Sequence, residues 1–132
     1  MWKQKKSQKN YREYEGESMS KSYSPEFKIA ATSLLLNIVQ KIDTKKRKQY
    51  YKIFQKKLNI RPEEFDSIKE RVNINTIVLS EKIAIIQKEL EFKQFEIMSF
   101  LMMLNQCIIL DGCDMESYSR FEYIRDSFME HL

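Results

Sequence analysis

The chain has 132 residues, 42% of them apolar and 32% charged, with two Gly, two Pro and a formal net charge of +4. That length holds one domain and excludes a multidomain enzyme, and the apolar share is too high for a wholly disordered chain. So few turn residues also exclude a many-stranded β fold, which leaves helices as the expectation.

Residues 1–24 hold six Lys/Arg against three Glu, residues 25–72 twelve against six, and residues 73–132 five against ten. The front of the chain is basic and the back acidic, so contact with phosphates or an acidic partner is expected of the first part only. Cys107 and Cys113 do not form CxxC, and Met1-Trp2-Lys3-Gln4-Lys5-Lys6 lacks the apolar core of a signal peptide; reduced thiols in the cytoplasm are expected. The longest apolar stretch, Ile97 to Leu110, is interrupted by Ser99, Asn105 and Gln106 and falls short of the about 20 residues that span a bilayer, so no membrane span is expected.

In chain order, residues 1–24 show no sustained period and are expected to form a disordered basic tail, with the domain running from 25 to 132. Ser24-Pro25-Glu26 combines an N-cap, a first-turn proline and an acid at the positive helix end. Behind it Phe27, Ala30, Ala31, Leu34, Leu35, Ile38, Val39 and Ile42 recur at three and four, a broad stripe that suits a central bundle helix. Asp43 is placed to cap a second helix, Thr44 to Leu58, with Tyr51, Phe54 and Leu58 on one side and Lys41, Lys45, Lys48, Lys52 and Lys56 on the other.

Ile60-Arg61-Pro62-Glu63-Glu64-Phe65 places proline at the first position of a third helix running to about Val72, with Ile60 and Phe65 set as a hydrophobic staple. Asn73 to Leu79 reads as a helical turn. Ser80 is expected to cap a helix carrying Ile83, Ile86 and Leu90. A fifth helix, from about Phe92 to Leu110, is expected to turn Phe95, Met98, Leu101, Met102, Leu104, Ile108 and Ile109 inward and to stop at Gly112. The last, Glu116 to Met129, presents Phe121, Ile124 and Phe128.

Two stretches carry a family resemblance. Met103-Leu104-Asn105-Gln106-Cys107-Ile108-Ile109-Leu110-Asp111-Gly112, followed by Asp114 and Glu116, resembles the apolar helix, Asp-Gly stop and acidic helix start of the TerB-like helical family. Leu58-Asn59-Ile60-Arg61-Pro62-Glu63-Glu64 is similar to the run that follows the first helix pair of that family. The resemblance covers roughly residues 27 to 130. It implies a bundle with two pseudo-repeated halves and a role in tellurite-resistance or other stress responses. It also implies a divalent metal near the Asp-Gly turns, although Ile42-Asp43-Thr44-Lys45-Lys46-Arg47 has no glycine and three cations where the family has acids.

Asp111, Asp114 and Glu116 have the hard oxygens that Ca²⁺ or Mg²⁺ favours, but three acids are too few on their own and miss the EF-hand pattern, so they read first as helix caps and first-turn acids. The expectation is therefore no cofactor, with a divalent cation on these three as the alternative. Lys45, Lys48, Lys52 and Lys56, with Tyr51 among them, have the basic and aromatic mixture of a nucleic-acid or acidic-partner face; a solvated helix face is the other reading. Catalysis is not expected. His131 is the one histidine and sits beside the last residue, and Cys107 falls inside an apolar helix. Met98, Met102 and Met103 read as core filling, with an adaptable binding surface as the alternative.

The expectation is an all-α bundle of five or six helices that acts without catalysis, presenting charged faces to a protein partner. A small nucleic-acid-binding regulator using residues 45–57 is the alternative.

Overall fold

The structure, a computed structural model, describes residues 22–40, 49–112 and 114–130. Six α-helices and one short 3-10 turn (Ile74–Thr76) make up these residues, and no strand occurs among them: α1 Pro25–Val39, α2 Gln49–Leu58, α3 Pro62–Arg71, α4 Leu79–Glu89, α5 Gln94–Leu110 and α6 Met115–Met129. The expected tail up to residue 21, the Asp43 cap and the start of the second helix lie outside the described residues. Tyr23, expected in the tail, belongs to the folded body, and Ser24 caps the first helix as its sequence suggests. The Tyr23 ring stacks on Phe27 at 4.3 Å, and Ser24 Oγ accepts the Phe27 N–H at 3.1 Å.

α1 is buried on nearly every side: Phe27, Ala30, Ala31, Leu34, Leu35, Leu36 and Ile38 are all inaccessible to solvent. A helix that apolar needs covering all round, and its neighbours are α4, α6, α3 and α5. α4 lies antiparallel to α1, because Glu89 at its end holds Ser24 at the start of α1. The α3 start also meets the α1 start, where Lys28 Nζ pairs with Glu64 at 3.1 Å. α2 packs against α5 in the opposite sense, with Cys107 Sγ 3.9 Å from the Tyr50 carbonyl. α6 returns antiparallel to both α5 and α1: Phe100 meets Phe128 with ring centroids 6.0 Å apart, and Arg120 Nε donates to the Ile38 carbonyl at 2.8 Å. Phe27, Phe100 and Phe128 thereby join three helices in one aromatic cluster.

With only two glycines in the chain, the helix stops among the described residues, other than that of α5, are made with other residues. α2 ends with Asn59 in the left-handed region (φ +56°), and Ile60 N–H returns to the Gln55 carbonyl at 2.8 Å. α4 ends the same way with Glu91 there, and the next residue, Phe92, is also left-handed (φ +57°). α5 therefore starts at Gln94 and not at Phe92. Gly112, with φ +106°, supplies the expected stop after α5. Ser80 does not cap α4: the cap is Val78, without a side-chain bond, and Leu79 is the first helical residue. Starting two residues earlier puts Leu79 on the stripe of Ile83, Ile86 and Leu90, against the core. The staple holds, since Ile60 and Phe65 are both buried on either side of the Arg61 cap.

Candidate functional site

The largest departure from the sequence expectation is on α5. Its inner side is built by Ile97, Phe100, Leu101, Met103, Leu104, Cys107 and Ile108. Phe95, Met98, Met102 and Ile109, expected inside, face solvent, with 82%, 38%, 69% and 57% of their surfaces exposed. At 100° per residue these four fall within about 60° of arc, so they form one stripe along the helix and not scattered contacts. Ser99, Asn105 and Gln106 sit between and beside them, and the one charge of the helix, Glu96, lies in its first turn and is half-buried. Seven core positions already fill the inner arc, so geometry leaves these apolar side chains no place in the core of a single chain. Met103 fills the core as expected, whereas Met98 and Met102 belong to the surface.

A signal for this was present in the sequence. Residues 97 to 110 carry no charge on any side of the helix, and a helix apolar all round must be enclosed or partnered. Four exposed side chains of this size present on the order of 500 Å², at the upper end for the largest apolar patch on a monomer.

The basic residues separate from their expected aromatic neighbour. Lys52, Lys56 and Lys57 are exposed on α2, and Lys45 and Lys48 lie outside the described residues. Tyr51 is only 4% exposed, edge-on to Tyr50 and Phe65 at 4.9 and 5.1 Å, with Lys69 Nζ 4.4 Å from its ring centroid. Its ring belongs to the core and is not available to stack on a base. The 3.6-residue period explains this: Tyr51, Phe54 and Leu58 share the inner side of α2, opposite Lys52 and Lys56.

The acidic residues are employed locally. Asp114 caps α6, its Oδ1 accepting the Ser117 N–H at 2.8 Å, and Asp111 closes α5 through its backbone N–H, bonded to the Cys107 carbonyl at 3.0 Å. Glu116 lies in the first turn of α6. Among the described residues no group of three or more His, Cys, Asp or Glu side chains gathers where a metal ion could be held. Asp111, Asp114 and Glu116, the acids singled out for a divalent cation, belong to no such group.

The Cys107 thiol is fully enclosed, and burial pushes its pKa up to about 12, the state of a small apolar side chain and not of a nucleophile. His131 and Cys113 lie outside the described residues. An open cleft of about 230 Å³ runs between α1, α3 and α4, lined by Ile29, Ser33, Ile68, Arg71 and Lys82 among others. The Ser33 hydroxyl is turned back onto the Ile29 carbonyl at 2.8 Å. No helix among the described residues is long and apolar enough to cross a membrane.

No family model, curated protein or solved structure matches the chain.

Proposed function

We propose that this chain is a non-enzymatic helical interaction module of TerB-like kind, working in the cytoplasm, that docks a protein through the outer face of α5. The observation that carries the reading is the solvent-facing stripe of Phe95, Met98, Met102 and Ile109 on an arc without charge. Water-exposed apolar surface of that extent is costly unless something covers it. Methionine suits such a face because its unbranched thioether adapts to the partner's shape. The sealed Cys107 thiol and the self-satisfied Ser33 hydroxyl support a role without covalent chemistry. The test is capture from source-cell lysate treated with nuclease. The retained protein should fall at least tenfold when Phe95→Lys replaces the wild type, and retention that ignores this substitution refutes the docking face. Unchanged growth of a deletion strain on tellurite would remove the stress-response part of the proposal.

The exposure of Lys52 and Lys56 favours a second reading, contact with nucleic-acid phosphates through α2 and residues 45–48. It predicts a salt-dependent shift of labelled duplex that is lost in the Lys52→Glu, Lys56→Glu double variant. With Tyr51 in the core, such binding rests on charge alone and carries no base preference.

A further inference from the structure

We infer that the occupant of the α5 face is a second copy of this chain, paired helix to helix in antiparallel sense about a two-fold axis at Met102. This deepens the docking proposal and rests on it. Phe95 and Ile109 stand seven residues before and seven after Met102, the spacing that keeps successive side chains on one seam of two packed helices. A two-fold axis at Met102 then brings Phe95 onto Ile109 of the second copy, Met98 onto Gln106, Ser99 onto Asn105, and Met102 onto itself. The face is thus complementary to its own image, which is the requirement of an isologous interface. Apolar meets apolar at the centre and at both ends, and the two small polar side chains meet each other.

Charge points the same way. The α5 arc carries no ionised group, so two identical faces meet without repulsion, and antiparallel helix dipoles oppose each other favourably. A phosphate-bearing partner would need cations on this arc, and Lys52, Lys56 and Lys57 are on α2 instead. The four apolar side chains, with Leu110 and the neutral side chains between them, approach the roughly 800 Å² per partner of a standard interface. That size, with few polar anchors, corresponds to a dissociation constant on the order of micromolar.

The test is sedimentation velocity of the purified full chain from about 5 to about 200 µM, with circular dichroism to verify helix content. The wild type should pass from monomer to dimer over that range. Phe95→Lys should weaken association at least tenfold. Adding Ile109→Glu to Phe95→Lys should restore it, because the seam sets residue 95 against residue 109 of the other copy. A chain that stays monomeric at the highest concentration overturns the inference, as does a dimer indifferent to Phe95→Lys or a double variant no better than the single one. If the purified chain is monomeric while lysate capture still depends on Phe95, self-pairing falls and the docking face stands. If neither responds to Phe95→Lys, both fall.

Discussion

Glu89 ties together two segments that are 65 residues apart in sequence, and removing its carboxylate probes how the bundle is closed. One carboxylate oxygen accepts the Ser24 N–H at 2.8 Å, and the other accepts the Ser24 hydroxyl at 2.5 Å. The same hydroxyl oxygen accepts the Phe27 N–H and so caps α1. The negative charge also stands at the positive end of the α1 dipole. Hydrogen bonds to a charged group contribute about 1.5–3 kcal/mol each when well buried, and the dipole adds about 0.3–1 kcal/mol. These groups are half-buried, so the lower ends apply, and Glu89→Ala should cost about 3 kcal/mol of a total on the order of 10 kcal/mol. Ser24→Ala should cost about 1–2 kcal/mol.

The assay is urea unfolding followed at 222 nm for the two single variants and the double variant. Because both substitutions break the bond between the Ser24 hydroxyl and the Glu89 carboxylate, the double variant should be at least about 1 kcal/mol less destabilised than the sum of the singles. An exposed acid on another helix, Glu70, serves as the control and should stay within about 0.5 kcal/mol of wild type when replaced by alanine. A Glu89→Ala loss below about 0.5 kcal/mol, or penalties that add within about 0.3–0.5 kcal/mol, would refute the clamp.

Thr32 is wholly buried in α1 and its hydroxyl has no hydrogen-bond partner, so Thr32→Val should raise stability by about 1 kcal/mol and increase the melting temperature. Arg120→Met removes the charged donor from the Ile38 carbonyl in the last turn of α1 and should cost about 1–2 kcal/mol by urea midpoint. At Gly112 an added Cβ meets open space, so the about 1–2 kcal/mol expected for Gly112→Ala comes from its positive φ, and calorimetry should find it in the melting temperature. Burial raises the Cys107 pKa from 9.0 to about 12, so the folded thiol keeps a proton that the unfolded chain releases. Its contribution is complete below pH 9 and declines as pH rises towards 12, by up to about 1.4 kcal/mol per pH unit. Urea midpoints at pH 8 and 10.5 should show that decline, less steeply in Cys107→Ala. Tyr50, raised chiefly by burial and then by Tyr51, adds a decline of the same sign in both proteins.

Sequence alone determined the helices and most of their ends, because those depend on local chemistry. The Ser24-Pro25 start of α1, the staple around Arg61, the Gly112 stop and the Asp114 cap each need only residues within one turn. The α1 stripe was legible for the same reason, since an apolar side that broad has one stable fate. Which side of α5 faces inward was decided by tertiary packing. Phe95 and Phe100 are alike in composition and period, and it is the positions of α1, with Phe27, and α6, with Phe128, that bury Phe100, while Phe95 is left in water. Tyr51 was likewise ambiguous until α3 supplied Phe65 and Lys69 around its ring. Hydrophobic burial is non-directional and proportional to area, so periodicity identifies side chains that seek cover. Whether the same chain or another copy covers them depends on how many helices the chain has to place around each one.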